Sequence, residues 1–310
     1  MPLAPAARTM LEQLEAAGFP PLWELPLEQA RMAEGLMGQM DTPIPVAAVE
    51  DRVIPGPAGD LPVRIYTPDA SGPRPVVTYF HGGGFVFCSI ETHDGTCRRL
   101  ANATGAVVVS VEYRLAPECP FPAATDDCYA ATVWTHEHAG ELGADAGRLV
   151  VAGDSAGGNL AAVVAQMARG RGGPPISFQV LVYPVIDGAC DSPSYTENAE
   201  GYFLERQSMQ WFWEQYLGPG GDCEDPLASP NRASDLSGLP PAIVITAEYD
   251  PLRDEGEQYA DALAAAGVPV TMRRYDGMIH GFVSMPMLFP EADEAVERIG
   301  SALQTAFATR

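Results

Sequence analysis

The chain has 310 residues, 46% apolar and 8% aromatic, which is enough to bury a large core. Its 41 acidic against 18 basic residues leave a formal charge of −23, a balance that argues against nucleic acid and anionic membranes as partners and suits a neutral small molecule. No apolar run reaches spanning length, so no stable membrane insertion is expected.

Residues 1 to 45 read as two short helices, Pro5 to Ala17 and Pro26 to Met40, separated by Gly18 to Leu25. Two strands follow near Val46 to Ile54 and Leu61 to Thr67, joined by a Pro/Gly turn. Strand and helix then alternate. Val76 to Phe80 precedes a helix near Thr92 to Thr104, and Ala106 to Glu112 precedes one near Ala123 to Ala139. The apolar run Leu149 to Ala152 leads into a helix from Ala156 to Met167, and further strands fall at Phe178 to Val185, Ala242 to Ala247 and Val270 to Tyr275. This alternation predicts an α/β fold, a mostly parallel sheet flanked by helices, with ligands beyond the carboxyl ends of the strands. Between Asp187 and Leu239 the alternation breaks into acidic loops and a helix near Gln207 to Leu217 that carries Trp211, Phe212, Trp213 and Tyr216.

Gly153-Asp154-Ser155-Ala156-Gly157-Gly158 stands where a buried strand meets a helix. A Gly-x-Ser-x-Gly in that context is a nucleophile elbow: the small residues let strand and helix backbones approach, and the serine sits at the positive end of the helix dipole. A serine needs a base to take its proton and an acid to orient that base, in the chain order serine, acid, histidine. Of five histidines only His280 follows Ser155. Asp250 ends the strand Ala242 to Ala247 region beside Pro251 and is the expected acid; Glu248 and Asp254 are its rivals, Glu248 being expected to face away or brace the loop and Asp254 to cap the next helix. His81-Gly82-Gly83-Gly84 follows a buried strand, and its bare amides offer an oxyanion site from Gly83 and Gly84 together with Ala156. His81 is expected to organise that loop.

Together with Tyr113-Arg114-Leu115-Ala116-Pro117-Glu118, Asp250-Pro251-Leu252-Arg253-Asp254 and His280-Gly281-Phe282, these blocks resemble the bacterial hormone-sensitive-lipase-like (family IV) carboxylesterases of the α/β-hydrolase superfamily, in their Gly-Asp-Ser-Ala-Gly form, over essentially the whole chain. The resemblance implies hydrolysis of short- to medium-chain acyl esters without a cofactor or metal, with Ser155, Asp250 and His280 as the triad. It implies a helical cap built from residues 1–45 and 187–239 over a core of 46–186 and 240–310, with Phe203 and Leu204 lining an acyl pocket. Tyr113 and Glu118 would brace the floor of the site, and Asp154 would stand beside the nucleophile. Similar proteins also form homodimers through an edge strand. Amide, peptide or carbamate cleavage by the same triad, and a non-catalytic small-molecule receptor on this fold, are the competing readings; the second commonly lacks the histidine that is present here.

All eighteen basic residues are arginine, which genomic base composition or adaptation to salt would each produce. Six cysteines, Cys88, Cys97, Cys119, Cys128, Cys190 and Cys223, show no CxxC spacing, and Met1 to Phe19 lack a charged segment followed by an apolar one. Free thiols and a cytoplasmic location are therefore expected.

Overall fold

The computed structural model describes residues 2–18, 20–38, 44–72 and 74–308. Its helices are α1 (Pro5–Ala17), α2 (Leu27–Gly38), α3 (Asp94–Thr104), α4 (Ala123–His138), α5 (Ala156–Arg171), α6 (Pro193–Glu197), α7 (Arg206–Leu217), α8 (Arg253–Ala265) and α9 (Glu291–Ala308). The strands are β1 (Ala48–Gly56), β2 (Gly59–Thr67), β3 (Arg74–Phe80), β4 (Val107–Val111), β5 (Ala144–Asp154), β6 (Phe178–Val182), β7 (Ala242–Tyr249) and β8 (Val270–Ile279). The expected end of the second helix, at Gln39 and Met40, lies outside the described residues.

One eight-stranded sheet runs β1-β2-β4-β3-β5-β6-β7-β8. β1 and β2 join it antiparallel, and every pairing from β4 to β8 is parallel. The period-two alternation of the strands divides the core into two layers. Val76, Phe80, Val107, Val109, Leu149 and Val151 point to one face, where Cys128 and Ala131 of α4, Leu160 and Val164 of α5 and Leu263 of α8 cover them. Val77, Tyr79, Val108, Val150, Ile243 and Ile245 point to the other, covered by Met10 of α1, Leu100 of α3 and Val296, Ile299 and Leu303 of α9. Gly300 lets α9 cross α3 closely, since a Cβ there would lie 2.4 Å from the Ala103 carbonyl oxygen.

Two differences from the sequence reading bear on the site. β8 continues past Tyr275 to Ile279, past a register shift opposite Ala247–Tyr249, so His280 follows the strand directly. Gly277, at φ 78°, makes this run possible; its amide donates to Glu248 Oε2 and its carbonyl accepts from Ala4. α9 is a further element that the pattern of alternation did not reveal. Among the described residues no helix is long and apolar enough to cross a membrane.

Candidate active site

β5 ends at Asp154 and α5 begins at Ala156, which leaves Ser155 as the corner, at φ 55° and ψ −121°. The residues two positions to either side must be glycine. A Cβ on Gly157 would lie 1.9 Å from the Phe80 carbonyl oxygen, and one on Gly153 would lie 2.2 Å from that of Gly157. The corner is pinned by Ser155 N–H donating to Val182 O at 2.8 Å and Val185 N–H donating to Ser155 O at 3.1 Å.

At this corner three side chains meet. Ser155 Oγ lies 3.0 Å from His280 Nε2, and His280 Nδ1 lies 2.7 Å from Asp250 Oδ2, the geometry of an imidazole that accepts from the hydroxyl and donates to the carboxylate. All three are buried, Asp250 completely. Asp250 Oδ1 accepts from Leu252 N–H at 2.9 Å, so both carboxylate oxygens are engaged.

The glycine loop follows β3 and is held at four of its backbone polar atoms. Tyr113 Oη donates to His81 O at 2.7 Å, and its ring stacks on His81 with centroids 4.2 Å apart. His81 Nδ1 lies 2.8 Å from Gly82 O, and burial, then the neighbouring His93, hold that imidazole down to about 3, so it is neutral. Gly82 N–H donates to Asp154 Oδ1 at 3.1 Å, and Gly83 O accepts from Val86 and Phe87. What remains are the amides of Gly83, Gly84 and, at the first turn of α5, Ala156; among the described residues none of the three finds a protein acceptor.

A cavity of about 190 Å³ opens on this corner, with Ser155, His280, Gly83 and Gly84 in its wall. Its apolar lining includes Phe203 and Leu204, together with Leu22, Phe87, Met209, Phe212 and Met285. Helical spacing orders the aromatic helix: Ser208, Met209 and Phe212 of α7 face the cavity, while Trp213 and Tyr216 pack against Phe85. Phe212 presses on the glycine loop, since a Cβ on Gly84 would lie 2.3 Å from its ring.

Other expectations meet a different environment. Glu118 does not brace the floor: its side chain is 56% exposed and forms a bidentate pair with Arg31 of α2. Asp254 does not cap its own helix. It accepts from Ser194 N–H at 2.9 Å, in the first turn of α6, because α6 lands on the start of α8. Glu248 braces Gly277, as already described. Asp154 is 5% exposed and accepts from Tyr79 Oη at 2.5 Å. Burial works to raise its carboxyl, but His93, Tyr79 and His81 together hold it below the usual carboxylate range.

Several contributors carry no sequence signal. Tyr183, at φ 33°, lays its ring 4.6 Å from that of His280. Asn198 donates to Asp250 O at 3.1 Å. Both come from positions whose role depends on contacts far along the chain. Among the described residues no group of three His, Cys, Asp or Glu side chains gathers as a metal ion would need.

A hydroxyl, an imidazole and a carboxylate in one line beside unpaired amides define a serine hydrolase of the acyl-transfer type. The chain matches the family described as alpha/beta hydrolase fold over residues 77–284. It is 49% identical to Esterase LipI of Mycobacterium tuberculosis over 259 residues, covering 82% of this chain and 81% of that one. Among solved structures it superposes on the ester-hydrolase EH1AB1 from the metagenome of Lake Arreo, solved with a bipyridine phosphonate derivative, with TM-score 0.95, 45% identity and 99% of each chain covered. It superposes on the hyperthermophilic esterase of the archaeon Pyrobaculum calidifontis with TM-score 0.93 and 46% identity, covering 98% of this chain and 99% of the other. The chain belongs to the α/β-hydrolase superfamily, in its hormone-sensitive-lipase-like carboxylesterase family.

Proposed function

We propose that this carboxylesterase hydrolyses short- to medium-chain acyl esters through an acyl-enzyme on Ser155. The observation that carries the mechanism is the hydrogen-bonded line Ser155–His280–Asp250. In the first half-reaction His280 takes the hydroxyl proton as Ser155 Oγ adds to the ester carbonyl. The amides of Gly83, Gly84 and Ala156 receive the oxyanion, aided by the positive end of α5. His280 then gives the proton to the leaving alcohol, with Asp250 stabilising the imidazolium between the two transfers. Water repeats the sequence on the acyl-enzyme and releases the acid.

The size of the cavity supports the acyl preference. About 190 Å³ is below the roughly 300–1,000 Å³ common for drug-sized ligands. Its walls come from two parts of the chain beyond the sheet: Leu22 from residues 1–45, and Phe203, Leu204, Met209 and Phe212 from 187–239. We read these two segments as the cap over a core of 46–186 and 240–310. Among the described residues the six cysteines form no disulfide, which accords with a cytoplasmic enzyme.

The test is turnover of a series of p-nitrophenyl esters by the parent and by Ser155→Ala. The variant is expected to lose several powers of ten in kcat, with a residual rate from the oxyanion site alone. The parent is expected to favour acyl chains of two to about six carbons. Ordinary turnover by Ser155→Ala would remove Ser155 as the nucleophile, and a rising rate toward long chains would remove the acyl preference.

A further inference from the structure

A second buried histidine–carboxylate pair borders the same cavity. His93, at the start of α3, is 6% exposed and lies in the cavity wall beside Asp154. Its Nε2 lies 3.3 Å from Asp154 Oδ2, and its Nδ1 lies 2.9 Å from Thr92 Oγ1, which itself donates to Ser89 O at 2.9 Å. With both ring nitrogens engaged, and Nε2 also 3.4 Å from Gly82 N, His93 has a fixed orientation. Its partner Asp154 spends the other oxygen on Tyr79 Oη and on Gly82 N–H. The contact with Gly82 is close enough to dictate its residue type, since a Cβ there would lie 2.6 Å from Asp154 Oδ2.

These bonds leave the glycine loop little freedom. His81 O, Gly82 N, Gly82 O and Gly83 O are all committed, by Tyr113, Asp154, His81 and the Val86–Phe87 turn in that order. The Gly82 N–H bond is the one that ties the loop to the residue preceding the nucleophile. It therefore sets the spacing between the amides of Gly83 and Gly84 on one side and Ala156 on the other. A buried carboxylate holds that amide in place only while its own second oxygen is satisfied, because an unpaired buried charge neutralises or turns away. His93 supplies that partner.

We propose that His93 is a positioning residue for ester hydrolysis: by pairing with Asp154 it holds Gly82, and through Gly82 it aims the amides of Gly83 and Gly84 at the oxyanion. The inference rests on the reading of Ser155 as nucleophile and of this loop as the oxyanion site. It differs from a purely structural role in what it predicts, because misaimed amides weaken binding of the tetrahedral species while leaving ground-state binding alone.

The experiment compares full-length parent, His93→Asn and His93→Gln with p-nitrophenyl butyrate and with an alkyl trifluoromethyl ketone, whose adduct on the serine places an oxyanion at the amides. The glutamine amide reaches the position of the imidazole Nε2, whereas that of asparagine falls short of Asp154. His93→Asn is expected to lower kcat about 10- to 100-fold, a fraction of the 10²–10³ lost with a whole oxyanion donor, with KM within about threefold. The ketone Ki should rise by the same factor as kcat/KM falls, and His93→Gln should recover most of both. Assays at a temperature well below each variant's Tm separate these effects from unfolding. An asparagine variant with kcat within twofold of the parent overturns the proposal, as does a loss of kcat without the matching rise in Ki, or a glutamine variant as impaired as the asparagine one. An inactive parent, or an active Ser155→Ala, would instead count against the reading of the site itself.

Discussion

The corner at Ser155 concentrates backbone strain in one residue. A non-glycine φ of 55° with ψ −121° costs about 1–3 kcal/mol and persists because β5, α5 and the Val182 and Val185 contacts over-determine it. A different cost is borne by Glu255 on α8, which is 3% exposed and whose Oε1 accepts from Ile186 N–H at 2.7 Å. Burial pushes its carboxyl well above the ordinary value, with the backbone bonds to Ile186 and Asp187 opposing. Below about pH 4.3 the group is protonated folded and unfolded, and burial costs nothing on this account. As pH rises past that value the unfolded chain releases a proton that the folded chain retains, so stability falls until the folded group also titrates. Glu255→Gln keeps the acceptor and removes the ionisation. In urea unfolding it is expected to exceed the parent in stability at pH 8 and to lose that advantage toward pH 4; a difference independent of pH would refute the assignment.

Among the elements, α2 is fastened through the side chain of Arg31. Arg31 donates from Nε to Val86 O at 2.9 Å, from Nη2 to Ala116 O at 3.0 Å, and from both terminal nitrogens to Glu118. Val86 stands three residues after Gly83 and donates to its carbonyl, so the N-terminal segment is fastened directly onto the turn that carries the proposed oxyanion amides. The ion pair is half open to solvent and worth at most about 1 kcal/mol, so the two carbonyl bonds carry a comparable share. Arg31→Ala is expected to cost about 1–2 kcal/mol in local stability, to raise KM more than it lowers kcat, and to expose residues 1–45 to limited proteolysis. Unchanged cleavage and kinetics would show that α2 is held by apolar packing alone.

For the whole molecule the acidic surface is the dominant electrostatic fact. At −23 the carboxylates repel one another, and the eighteen arginines relieve this locally, as where Arg64 gathers Asp51, Glu91 and Asp94. Raising ionic strength from 0.01 to 0.15 M shortens the screening length from about 30 to about 8 Å. It damps the long-range repulsion more than the contact pairs, each of which is worth at most about 1 kcal/mol. The Tm is expected to rise by a few degrees across that range in calorimetry. A fall would mean that the short ion pairs outweigh the repulsion.

Much of this protein is written locally. Alternating apolar strands forced two buried layers, the Gly-x-Ser-x-Gly run marked the corner where a buried strand meets a helix, and Asp250 stood just past the end of β7. Such features depend on period and on neighbours within a few positions, so they can be read from a single chain. The remainder came with folding. Whether Phe212 or Trp213 faces the cavity, that Glu118 turns outward to Arg31, that Asp254 receives α6, and that His93 pairs with Asp154 all depend on partners 60 to 87 residues apart, or on how one helix rotates against a loop. A residue's type constrains the bonds it is able to form. Its partner is chosen by the path of the backbone, and that path is settled by the packing of the entire core.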